Sequence, residues 1–82
     1  MLKHELIQAL ELDEAGEWDE AHSIVQEYST PEANWIHAYL HRKEGDRNNA
    51  SYWYSKANRE FPKISLEREW KIIFEFIENM QL

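Results

Sequence analysis

Residues 14–26, EAGEWDEAHSIVQ, and residues 43–55, KEGDRNNASYWYS, align without a gap. Gly16 falls on Gly45, Ala21 on Ala50 and Val25 on Tyr54, each pair 29 residues apart. A Gly between two helices permits a tight reversal through positive φ. An Ala five residues later lets neighbouring helices approach closely, and large residues on either side fill the groove between them. The two segments therefore read as two copies of one bent helical pair, and that reading decides the fold.

Working outward, only two Gly and two Pro punctuate the 82 residues, and all four fall between periodic segments. The pattern predicts five helices, near 2–14, 17–29, 32–44, 47–60 and 65–81. In the second, Trp18, Ala21, Ile24, Val25 and Tyr28 recur at three- and four-residue steps. Pro31 suits the first turn of the third helix, with Thr30 as its N-cap. In the fourth, Ala50, Trp53, Tyr54 and Ala57 share one face, Tyr52 points away from it, and Pro62 prevents continuation. Ser65 caps the last helix, whose stripe is Leu66, Trp70, Ile73, Ile77 and Met80. No segment has the β-branched alternation of a strand. The expected fold is all-α, a short antiparallel helical-hairpin repeat in one domain over 1–82: hairpin 1–30, hairpin 31–62, terminal helix 65–82.

A domain this small buries only about 60% of the surface its unfolded chain exposes. With no Cys, neither disulfides nor thiolate metal sites can stabilise it. The 4 Trp, 4 Tyr and 3 Phe are the expected substitute, since large rings carry most of the area available for burial.

The net charge of -7 is unevenly spread. Residues 1–32 carry a net -8, residues 33–63 a net +3 and residues 64–82 a net -2. An acidic first third repels phosphate backbones and argues against nucleic-acid binding. The opening MLKHELIQALELDE becomes charged at once and lacks the apolar run of a signal peptide, and no stretch approaches a membrane span. A soluble, cytoplasmic protein with no membrane partner is the expectation.

Gly45, Ala50, Tyr54, Ala57 and Pro62, with Ala38 before them, have the spacing of a tetratricopeptide repeat. Residues 32–62 resemble that family, and residues 1–31 look like a more degenerate copy. The 29-residue offset departs from the family's 34, and His41 stands where a Tyr is usual. The string WIHAYLHRKEGD…NA.YWY is also similar to one in a group of small proteins of unassigned function, which implies a shared fold and adds no activity. The repeat resemblance implies an antiparallel solenoid whose concave side binds peptides or proteins. A non-catalytic TPR-like interaction module with a protein or peptide partner is the function it suggests.

Within WIHAYLHRKEG, Trp35, Ile36, Tyr39 and Leu40 share one side of the third helix. His37, His41 and Glu44 lie opposite, so the third helix is expected to be sandwiched between two neighbours. Binding candidates are His37, His41, Tyr39 and Tyr52, the tyrosines presenting a hydroxyl, and Arg42, which neighbours Trp35 and Tyr39 and suits an aromatic face. The alternative function is metal or small-ligand binding through His37 and His41, because residues four apart on a helix project side by side. Zinc would need a further N or O ligand, from His22 or a first-helix acid, while Glu44 lies too far along the axis from His37. No Gly-rich phosphate loop, nucleophile elbow or Cys nucleophile is present. Asp19, His22 and Ser23 are neighbours in sequence, yet a helix does not arrange such neighbours into a relay, so no enzyme and no obligatory cofactor are expected.

The terminal helix has a second apolar flank, Ile72 and Phe76. A terminal helix of a monomer turns a polar face outward. Either the first helix folds across this flank, or two copies of the chain meet there as a homodimer.

Overall fold

The computed structural model describes residues 2–80, so the last two positions of the expected terminal helix lie outside it. Five helices follow in order: α1 (Leu2–Glu14), α2 (Trp18–Val25), α3 (Pro31–Lys43), α4 (Arg47–Lys56) and α5 (Leu66–Glu78). There is no strand among the described residues.

The two reversals are built alike. Gly16 (φ 88°) and Gly45 (φ 90°) both take left-handed backbone. The Gly16 N–H donates to the Asp13 carbonyl at 3.0 Å and the Glu17 N–H to Leu12 at 2.8 Å. At the second reversal Gly45 donates to Arg42 at 3.1 Å and Asp46 to His41 at 2.9 Å. Each pair is a Schellman closure that satisfies carbonyls orphaned at the helix end. Every donor and acceptor of the first recurs at the offset of the sequence alignment.

Caps set the remaining boundaries. The Thr30 and Ser65 side chains accept from Ala33 and Arg68 N–H, as their positions predict, and Asp46 does the same for Asn49. Three helices are shorter than expected, α5 among them, which ends at Glu78 with Asn79 as its C-cap. In α2, the Glu27 and Tyr28 N–H groups turn to Ile24 and Val25, three residues back, which tightens and ends the helix. α4 stops at Lys56 because Asn58 adopts φ 61° and makes a third Schellman closure, through Ser55 and Tyr54. Pro62 therefore lies beyond a helix that has already ended.

α1 packs on α2 and α3 on α4, giving two hairpins, and α3 also touches α1, α2 and α5. All nine residues from Ala33 to His41 are buried, so the expected sandwiching of α3 is met on every side. Ala21 and Ala50 are both fully buried, with Leu6, Leu10, Val25, Ile36, Leu40, Tyr54, Ile73 and Ile77 filling the core around them. α5 lies against α1 and α3 and reaches α4 through side chains.

Three tryptophans link elements by polar bonds as well as by area. Trp18 Nε1 donates to the Leu40 carbonyl at 2.8 Å, joining α2 to α3. Trp70 Nε1 donates to Leu10 at 3.0 Å, joining α5 to α1. Trp35 Nε1 donates to Glu69 at 3.2 Å, joining α3 to α5. A buried indole needs such a partner, and here each one ties sequence-distant segments together. No helix among the described residues is long and apolar enough to cross a membrane.

Candidate functional site

The polar side chains of interest converge on α3 from two directions. On one side stands Glu69 of α5, 2% exposed. Its Oε2 accepts from Tyr54 Oη at 2.6 Å and from Trp35 Nε1 at 3.2 Å, and its Oε1 pairs with Arg42 at 2.7 Å. Arg42 donates its other arm to the Ile64 carbonyl, which anchors the segment between α4 and α5. A buried carboxylate survives in such a place only when paired and hydrogen-bonded, and Glu69 has both. Burial and the bond to Glu69 push the Tyr54 hydroxyl well above its ordinary range, which keeps it a donor. This hub joins α3, α4 and α5 and binds their order together.

On the other side three imidazoles meet. His22 of α2 lies with its ring centre 4.6 Å from that of His37 and 5.1 Å from that of His41, and His37 and His41 are 5.0 Å apart. Trp18 stacks on His22 at 4.9 Å, and Trp53 of α4 stacks on His37 at 3.9 Å. His37 is 4% exposed, and its Nδ1 has no hydrogen-bond partner. His41 Nδ1 lies 2.7 Å from the Glu44 carboxylate. Burial, and then the neighbouring His22 and His41, lower His37 to about 4. Burial and His41 also lower His22, against the pull of Glu44 and Asp19.

The other expected binding residues are scattered. Tyr39 is buried beside Asp13; burial first, and then that carboxylate, raise its hydroxyl. Asp13 itself pairs with Lys43 at 3.0 Å, closing α1 onto α3. Arg42 serves Glu69 and lies 5.9 Å from the Phe61 ring centre, whereas the cation over Trp35 is Arg59, at 3.3 Å. Tyr52 is exposed on the far side of α4, edge-on to Trp53 at 5.1 Å, with Lys56 Nζ 5.6 Å above its ring.

The outer surface of α5 carries the remaining feature. Ile72 is 42% and Phe76 43% exposed, one helical turn apart. α1 does pack on α5, yet it leaves these two uncovered. Phe76 meets Trp35 edge-on at 5.5 Å and lies 5.3 Å from the Arg59 guanidinium, so a shallow groove runs from Phe76 to Pro31 and Glu32.

Two participants escaped sequence reasoning. Glu69 stands four residues before Ile73 and eight before Ile77, so the spacing of the buried stripe itself points to it. Arg59 lies outside any helix, and nothing local ties it to Trp35.

Comparison with protein-family models, with curated proteins and with solved structures returned no match.

Proposed function

We propose that the chain is a non-catalytic protein-interaction module of the TPR-like helical-repeat type, and that it works by self-association through the outer face of α5. The observation that carries this is the uncovered pair Ile72 and Phe76 on a helix whose opposite face is fully used in the core. The resemblance implies a binding groove on the concave side of the solenoid. Here α5 already lies on α1 and α3, so the free apolar surface is the outside of α5.

A second copy is the occupant that the charges favour. On the exposed half of α5, Arg68 precedes the apolar pair, Lys71 adjoins it and Glu75 lies within it. Antiparallel pairing of two such helices sets the Ile72 of one copy against the Phe76 of the other and brings the Lys71 of each copy near the level of the other's Glu75. Apolar surface of this kind is usually buried by association. No catalytic step enters this reading.

Sedimentation velocity across a wide concentration range tests it. The wild type is expected to shift from monomer to dimer, and Phe76→Glu is expected to stay monomeric with an unchanged helical circular-dichroism spectrum. A wild type that stays monomeric at high micromolar concentration would refute the proposal.

A further inference from the structure

The three imidazoles beneath Trp18 and Trp53 have no part in that interaction reading. We infer that His22, His37 and His41 form a three-histidine site for a divalent transition-metal ion of the zinc class. One ligand nitrogen from each residue lies within 4.8 Å of the other two. Nitrogens bound tetrahedrally at 2.0–2.1 Å are separated by about 3.3 Å, so closure needs a movement of at most about 1.5 Å at any pair. His22 is only half-buried, on the short helix α2, and supplies that movement most easily.

Two observations separate this cluster from plain core packing. The first is the orphan His37 Nδ1, buried and without a partner. A buried polar atom left unmatched costs about 1–3 kcal/mol, and a metal ion bound at that nitrogen would remove the cost. The second is the His41–Glu44 pair. A carboxylate that holds one ring nitrogen as N–H leaves the other nitrogen as a lone pair, the arrangement that orients histidine ligands in metal sites. The acid that lay too far from His37 to be a ligand thus fits a supporting role beside His41.

Aromatic walls add preorganisation. Trp18 and Trp53 cover the faces of His22 and His37, and Trp18 also meets His41 edge-on at 5.8 Å. This restricts ring rotation and limits the water that competes for the ion. The donor set selects the ion class. Three neutral imidazoles suit Zn²⁺, Co²⁺, Ni²⁺ or Cu²⁺, whereas Mg²⁺ and Ca²⁺ take oxygen ligands. Three protein ligands leave a fourth tetrahedral position for water or an added donor.

The test is titration of the full chain, freed of metal by chelator, with ZnCl₂ by calorimetry and with CoCl₂ by visible absorption. The wild type is expected to bind one equivalent of Zn²⁺, to melt at a higher temperature with it, and to give the intense visible bands of tetrahedral Co²⁺. His22→Gln is expected to keep the helical spectrum and lose both signals. Glu44→Gln should bind roughly 10–100-fold more weakly. His4→Gln, on the exposed side of α1, and Phe76→Glu, on α5, should bind as the wild type does. No heat and no thermal shift at millimolar Zn²⁺, or unaltered binding by a folded His22→Gln protein, would overturn the assignment.

Discussion

The Tyr54 hydroxyl donates a 2.6 Å hydrogen bond to the Glu69 carboxylate, tying the last turn of α4 to the buried face of α5. Glu69 also holds Arg42 at 2.7 Å, so one carboxylate connects α5 to both α3 and α4. Removing the carboxylate strands the Arg42 charge in the interior. Glu69→Ala is expected to cost about 3–5 kcal/mol, a large part of the total stability of a domain this size. Tyr54→Phe, which removes one bond to a charged acceptor, is expected to cost about 1.5–3 kcal/mol. Urea denaturation followed by circular dichroism measures both. A loss below about 1 kcal/mol for Glu69→Ala would mean that the hub is not a structural anchor.

Gly16 and Gly45 share their left-handed φ, and a Cβ built on either meets nothing within 4 Å. Substitution by Ala therefore carries backbone strain without a clash. Gly16→Ala and Gly45→Ala are each expected to cost about 1–2 kcal/mol. Asn58→Gly, at φ 61°, is expected to cost nothing or to stabilise slightly. Thermal or chemical unfolding of the three variants checks the equivalence of the reversals. A strongly unequal pair of losses would contradict it.

What the sequence reveals here follows from how local each signal is. The reversals and the Thr30 and Ser65 caps are written in adjacent residues, because positive φ and capping act within one turn. The early end of α4 is hard to read in the sequence because Asn58 is a less familiar left-handed residue than Gly and Pro62 is a louder stop. The histidine cluster was half legible: His37 and His41 are neighbours by helical periodicity, while His22 joins them only when one hairpin packs on the other. Glu69 falls on the buried stripe by its spacing from Ile73 and Ile77, but its partners are not legible, because they come from α3 and α4. Arg59 over Trp35 is a tertiary pairing with no local cause.

The metal-free protein should weaken in mild acid. His37 is lowered to about 4, against about 6.5 for an unfolded chain. Between those values the unfolded state binds the proton and the folded state does not, so stability falls as pH drops from about 6.5 toward about 4. His22 from α2 and His41 from α3 face the group, and Trp53 from α4 covers it. The full effect is about 3 kcal/mol, read from denaturation midpoints in the presence of chelator. His37→Phe, which keeps a ring on Trp53, should flatten the curve. An equally steep curve in that variant would place the acid sensitivity elsewhere.

The reading of α5 as the joining surface is tested most directly by proximity in solution. The chain has no cysteine, so Ile72→Cys introduces a single thiol at the apolar pair, and Asp19→Cys places one on α2 as a control. A short bis-maleimide crosslinker should convert the Ile72→Cys protein to covalent dimer and leave the Asp19→Cys protein monomeric. Equal yields from the two, or none from either at high micromolar concentration, would contradict association through α5.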